Sequence, residues 1–347
     1  MTPTATPLAA RTLRLFSFAC LAGALLAAQP LRAASDMNVY QVTVPVADRS
    51  AANRGSGFQA AMKIVLVRAT GKLSAGADAV LAPLVDGATR YVQEYRYAPD
   101  GRLWAAFDGA AIERWLGANG EPVWGRTRPA TFIWLTVQNG AQTGSVVTGD
   151  DSSDLKAQID AQADLRGIEL LWPSAQQLQD NRLDYNAVMH AAPATLQAIA
   201  NRLGGDGVLI GHASVGAGAP SGAAAGVQWL QLYQAESGAV AGAAGGVNLA
   251  ADTYAAVFAV SGGVAPVDVE IGGIGSVGDY ARVQHYLDSL TIVAGVAVLG
   301  LHGDAVAFRV GVRGGATSLV RTLALNGPLA ADTPSAAGEI LRFHLRR

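Results

Sequence analysis

Cysteine is nearly missing from this chain: one residue, Cys20, in 347. It lies inside an apolar leader, so the chain that follows has no disulfide to close and no thiolate to serve as nucleophile. Charge is sparse, with 25 Lys+Arg against 27 Asp+Glu making 15% of the residues. That balance leaves no electrostatic footprint for a nucleic-acid partner. Histidine is scarce as well. The five, at 190, 212, 285, 302 and 344, form no HxH or HExxH pair, and zinc finds no local start on a three- or four-ligand array. Long apolar runs are missing beyond the leader. Thr291 to Leu301, the longest, is 11 residues interrupted by glycine, against the roughly 20 that a spanning helix needs. No metal, no cofactor and no integral membrane segment after the leader are therefore expected.

What is present is apolar and rich in glycine. Half of the residues are apolar by a loose count, and the 41 glycines show no triplet period, which excludes a disordered or collagen-like chain. The length exceeds what one core usually serves, so two or three domains are expected.

Residues 1–34 have the layout of a secretory signal peptide. Arg11 and Arg14 precede an apolar run from Leu15 to Ala28, Pro30 breaks it, and Ala33 and Ala34 supply the small residues of a cleavage site. Ser17-Phe18-Ala19 before Cys20 makes a poor lipobox. Removing the leader takes away Arg11, Arg14 and Arg32, so 25 basic residues become 22 against 27 acids, a formal net charge of −5. The expected location is the periplasm.

Three stretches follow, each with its own rhythm. From 35 to 125 the pattern reads βααβα. Tyr40 to Val46 alternates as a strand, and Phe58, Ala61, Met62, Val65 and Ala69 line one face of a helix over Ala51–Thr70 that Gly71 stops. A second helix is expected from Ala79 to Glu94, a strand at Leu103–Phe107 and a short helix at Gly109–Leu116. From 126 to 262 an α/β layer domain is expected. Its strands are Thr131–Val137, Gly167–Trp172, a buried and parallel Gly207–Gly211, and Val227–Tyr233; its helices are Asp154–Leu165, Thr195–Leu203 and Asn248–Val260. From 263 to 347 the order is βαββαβ, a ferredoxin-like split βαβ. The fold class is thus α/β and α+β, three small domains in series.

Chemistry-bearing motifs are few. Gly55-Ser56-Gly57-Phe58-Gln59-Ala60 fits a dinucleotide fingerprint in letters but sits inside a helix. Gly273-Ile274-Gly275-Ser276-Val277-Gly278 lies between strand and helix but lacks the acid about 20 residues on. No serine stands in a G-x-S-x-G elbow. Asp150, Asp151 and Asp154 lack the spacing of a calcium loop and read as a solvated loop with a helix cap. Glu169 and Asp180 flank Trp172 and could form a carboxylate pair only if the fold assembled one. No catalytic residue is assigned.

The candidate partner-binding residues are Trp124, Arg126 and Arg128, in Trp124-Gly125-Arg126-Thr127-Arg128-Pro129. They join an aromatic anchor to two arginines, the residue types that interface hot spots favour. The alternative is that Trp124 plugs the seam between the first two units and the arginines satisfy helix C-terminal carbonyls.

Several landmarks, in order, resemble a known family: Tyr40-Gln41-Val42, Leu66-Val67-Arg68-Ala69-Thr70-Gly71, Val92-Gln93-Glu94-Tyr95-Arg96-Tyr97, the Trp124–Pro129 segment, Arg166-Gly167-Ile168-Glu169-Leu170 and Gly205-Asp206-Gly207-Val208-Leu209-Ile210-Gly211. The resemblance is to the exported proteobacterial proteins grouped as the domain of unknown function 2066 family, which implies no assigned activity and no catalytic residue. More distantly, the middle unit is similar to N-terminal domains of envelope proteins such as the TolB and curli-secretion groups, which implies assembly and interaction. The expected function is a non-enzymatic periplasmic interaction or envelope-assembly factor with an envelope protein partner. The rival readings are an envelope hydrolase with spatially assembled carboxylates and a periplasmic small-ligand binding protein.

Overall fold

A computed structural model describes residues 38–126, 128–139, 144–215, 226–234, 236–325, 327–332 and 340–346. The leader, with Cys20 and the expected cleavage after Ala33 or Ala34, lies outside the described residues. The architecture is mixed α/β, with three sheets and ten α-helices among the described residues.

The first sheet begins with β1 (Gln41–Val44). Ser50 then caps α1 (Ala51–Thr70), its side chain accepting from Asn53 N–H, and Gly71 closes the helix in the left-handed region at φ 74°. The apolar stripe of α1 is fully inside, with Ala61, Met62, Val65 and Ala69 at 0% exposure. The helix expected from Ala79 to Glu94 is not one element. Pro83 opens the short α2 (Ala82–Asp86) and Gly87 ends it, between 3₁₀ turns at Leu73–Ala77 and Ala88–Tyr91. The chain becomes extended at Val92, giving β2 (Val92–Tyr97). β3 (Leu103–Phe107) and α3 (Gly109–Ala118) follow. The sheet order is β1-β3-β2, antiparallel throughout, so β2 is an edge strand.

The second sheet is built on β4 (Thr131–Asn139). After it come β5 (Ser145–Val146), α4 (Asp154–Arg166), β6 (Leu170–Leu171), α5 (Ala175–Asp180), α6 (Tyr185–His190), α7 (Pro193–Arg202), β7 (Gly207–Val215), β8 (Gly226–Tyr233), β9 (Glu236–Ala241) and α8 (Gly245–Phe258). β7 lies parallel to β4, while β7-β8 and β8-β9 are antiparallel. Alternate residues of β4 and β7 feed two cores. Ile133, Leu135 and Leu209 pack with α4 and α8, whereas Phe132, Trp134, Val208 and Ile210 pack with α7.

The third sheet comprises β10 (Val264–Gly272), β11 (Val293–His302), β12 (Ala305–Arg313), β13 (Leu329–Ala331) and β14 (Leu341–Leu345), in the order β11-β12-β10-β14-β13. The helices α9 (Val277–Ser289) and α10 (Gly315–Leu323) cover one face through Val283, Leu287, Leu319 and Leu323. The ferredoxin-like order is kept with one alteration. β13 adds a reversal of the chain, so β14 enters beside β10 in parallel and is itself flanked on its far side. No described helix is long and apolar enough to cross a membrane.

Candidate functional site

The sequence-predicted residues Trp124 and Arg128 lie in a buried junction where two helix ends meet. Trp124 is 0% and Arg128 3% exposed. The Trp124 N–H donates to Ala69 O, and Val123 bridges Val260 from the far end of α8. Arg128 stacks on Trp124, its guanidinium carbon 3.9 Å from the ring centroid. Its Nη1 donates to Gly167 O (2.7 Å) and Arg166 O (3.3 Å), at the C-terminus of α4. Its Nη2 reaches Arg68 O (2.5 Å), near the end of α1, and its Nε reaches Gly125 O (2.9 Å). One planar fork thus satisfies carbonyls from two helix ends that have no intrahelical partner.

Arg68 and Arg166, 3% and 0% exposed, complete the junction. Arg68 donates to Asp164 O and to its carboxylate, both at 2.8 Å, and to Gln41 O. Arg166 donates to Gly71 O (2.9 Å), Asn248 Oδ1 (3.0 Å) and Asp252 Oδ1 (2.5 Å). Burial pulls the Arg128 pKa down to about 9, with Arg68 and Arg166 adding to the effect. The compensating carboxylates of Asp164 and Asp252 sit at the solvent rim. Both cap glycines are required here. A Cβ on Gly71 would collide with Ala255, and one on Gly167 would come within 2.7 Å of Arg128 Nη1. The junction holds guanidinium groups against carbonyls, an arrangement that fixes helix ends.

Arg126 is the exposed member of the three. Its guanidinium lies 5.5 Å from the Tyr40 ring, and its N–H donates to Thr291 Oγ1. Tyr40 OH donates to Glu113 Oε1 at 2.6 Å. Burial raises the pKa of both groups, that of Tyr40 well above its usual value.

The other residues weighed from sequence have local roles. Trp172 Nε1 donates to Asp160, and Asp180 accepts from Gln176. Ser153 caps α4, with Asp151 accepting from its N–H. Ser276 caps α9 from within the second glycine cluster, and the first cluster lies inside α1. His212 Nδ1 meets Thr136 Oγ1 at 2.7 Å, and burial lowers its pKa. Among the described residues no group of three or more His, Cys, Asp or Glu could hold a metal ion.

A surface that the sequence reading did not single out lies along β2. Four of its six residues, Gln93 to Arg96, are exposed. Each aromatic side chain at this edge carries an arginine. Arg54 lies 5.5 Å from the Tyr95 ring, Arg49 5.0 Å from Tyr97 and Arg96 3.6 Å from Trp104 of β3. Tyr95 also meets Phe58 edge-on, with centroids 5.5 Å apart, yet remains 46% exposed. Beside it, an open concavity of about 330 Å³ separates Pro45–Arg49 from Asp100–Arg102. Its acids are already engaged. Hydrogen bonds from Ser50 and Asn53 hold Asp48 down at about 2, and Asp100 is lowered by the backbone and side chain of Arg102. A separate void of about 10 Å³ between Gly125 and Phe258 holds no more than a water. The signal available in sequence was the alternation of Tyr95-Arg96-Tyr97, directly after the helix expected to end at Glu94, whereas the strand already begins at Val92.

Comparison with known proteins corrects the family resemblance. Residues 33–125 match a family described as Domain of unknown function (DUF8605), not the 2066 family. No curated protein matches. Two solved structures are distantly similar. The LpoB C-terminal domain from Salmonella enterica is 18% identical over 33% of this chain and 81% of that one, with a TM-score of 0.22. The LpoB C-terminal domain from Escherichia coli is 20% identical over 38% and 92%, with a TM-score of 0.19. Neither likeness is close enough to assign a role.

Proposed function

We propose that this protein is a non-enzymatic interaction or assembly factor of the cell envelope, exported by its N-terminal leader and acting on a protein partner. The observation that carries the reading is the arginine-on-aromatic surface along the open edge β2, beside an open concavity. Small-ligand sites enclose most of their ligand between apolar walls, whereas this concavity is open and lined in part by Asp48, Arg49, Asp100 and Arg102, and partner surfaces present exposed aromatic and arginine anchors. The contact surface is assigned to β2 in place of Trp124 and Arg128, whose side chains are covered by the chain itself. Arg126 remains available at the surface near Tyr40.

The test is affinity capture from crosslinked periplasm, comparing the wild-type chain with an Arg54→Glu/Tyr95→Ser variant. Specific proteins retained by the wild type and lost from the variant support the reading. Capture that is identical for both chains, or no capture by either, overturns it.

A further inference from the structure

We infer that β2 receives an acidic, extended segment of another protein as an added strand; this rests on the interaction reading above. Three independent features of the edge converge on that partner.

The first is an open ladder. β2 pairs with β3 on one side only. Ala98 N–H donates to Arg102 O at the hairpin. By the alternation of an antiparallel ladder, the backbone groups of Arg96 and Glu94 then face β3, and those of Tyr95 and Tyr97 face outward. An incoming peptide backbone can pair with those outward groups, the contact that gives strand addition its affinity.

The second is charge. The edge has guanidinium groups on both faces of the sheet, Arg49 and Arg54 over the tyrosines on the α1 face and Arg96 over Trp104 on the other. Arg96 meets Glu94 at 3.6 Å, both side chains being largely exposed. Arg49 and Arg54 have no carboxylate partner among the described residues. Asp48 and Asp100, the acids that line the adjacent concavity with Arg49, already accept from Ser50 and Arg102. Side chains of an added strand alternate between the two faces, so a segment with carboxylates on both faces meets a cation on each.

The third is rigidity. The guanidiniums of Arg54 and Arg49 lie over rings that are themselves packed, Tyr95 against Phe58 and Tyr97 against Tyr95. The arginine side chains are thus partly ordered before a partner arrives, which lowers the entropy cost of fixing them. A polyphosphate backbone would satisfy the cations but would leave the outward amides and carbonyls of β2 unpaired. The observations therefore favour a protein segment over a nucleic acid.

The test uses the exported chain and fluorescein-labelled 12-residue peptides, read by anisotropy. A Glu-Val peptide of repeat Glu-Glu-Val-Val, which carries carboxylates on both faces of a strand, is expected to bind saturably, at least tenfold more tightly than its Lys-Val counterpart of repeat Lys-Lys-Val-Val. Affinity should fall at least tenfold in the Arg49→Glu/Arg54→Glu variant, whose circular dichroism and Tm should match the wild type. A Glu-Pro peptide of repeat Glu-Glu-Pro-Pro keeps the charge but lacks N–H donors along both edges, and it should lose at least tenfold. Equal binding of Glu-Val and Glu-Pro overturns strand addition. A 12-nucleotide oligothymidine that binds as tightly as Glu-Val overturns the protein segment as occupant. If Glu-Val binds no better than Lys-Val while periplasmic capture still depends on Arg54 and Tyr95, the acidic partner class is wrong and the interaction reading stands. Loss of both results removes both.

Discussion

Arg128 and Trp124 form one stacked unit, guanidinium on indole at 3.9 Å, and through it the C-terminal carbonyls of α1 and α4 share a single donor. The expected result of Arg128→Ala is a loss of about 3 kcal/mol or more, because several buried carbonyls lose their partner together. Arg128→Lys should recover little, since one ammonium cannot reproduce the planar fork. Urea denaturation followed by circular dichroism measures both, and a loss below about 1 kcal/mol for Arg128→Ala would contradict the assigned role.

Gly71→Ala is expected to destabilise by about 2–5 kcal/mol. The left-handed backbone costs a Cβ-bearing residue about 1–2 kcal/mol, and the collision with Ala255 adds an overpacking cost of about 1–3. Adding Ala255→Gly should restore part of the loss by removing the group in the way. Thermal melts of the single and double variants provide the comparison.

Alkaline pH should unfold the second sheet's core. Burial raises Tyr233 from 10.0 to about 12 and lifts Tyr254, which bonds Thr131 Oγ1 at 2.9 Å, further still. A raised folded-state pKa means that the unfolded chain releases its proton first. This stabilisation is complete below pH 10 and is lost as pH climbs from there through 12. Phenolate absorbance near 295 nm for these residues should therefore appear together with loss of secondary structure. Their titration in a fully folded chain would contradict the burial argument.

The edge strand β11 presents ten residues without an Asp, Glu, Lys, Arg or Pro, with Val298, Leu299 and Leu301 at 45%, 49% and 74% exposure. Edge strands usually carry a charge or a proline against edge-to-edge pairing. Leu301→Lys is expected to change stability by less than about 0.5 kcal/mol while slowing aggregation on heating. Light scattering at a fixed temperature below the Tm reads the difference.

The leader reading predicts that mass spectrometry of the exported chain finds its first residue at Ala34 or Ser35. An N-terminus still carrying the apolar run would overturn cleavage there.

Where apolar spacing was strong, the fold was legible. Phe58, Ala61, Met62, Val65 and Ala69 all became core, and β7 lay parallel to β4 as its unbroken apolar run implied. Elements with little to bury were not legible. β2 is exposed on both faces, and α5 has no buried residue, although its Ser174–Gln177 capping box was a readable start signal. β13, only three residues long, gave no period to detect. The arginine junction was hidden for another reason. Apart from those within Trp124–Arg128, its hydrogen bonds join residues 27 to 96 positions apart, and no local pattern encodes such a meeting. The arginine-on-aromatic edge was hidden likewise, since Arg49 and Arg54 meet β2 only once α1 has packed.

The inserted strand β13 makes Leu341–Leu345 an interior ribbon of the third sheet, paired on both sides. A chain threading out N-terminus first can assemble β10, β11, β12 and both helices while one flank of β10 stays bare. That flank closes only when residues more than 65 positions beyond β10 arrive, so a truncation that spares every helix would still release a sticky half-sheet.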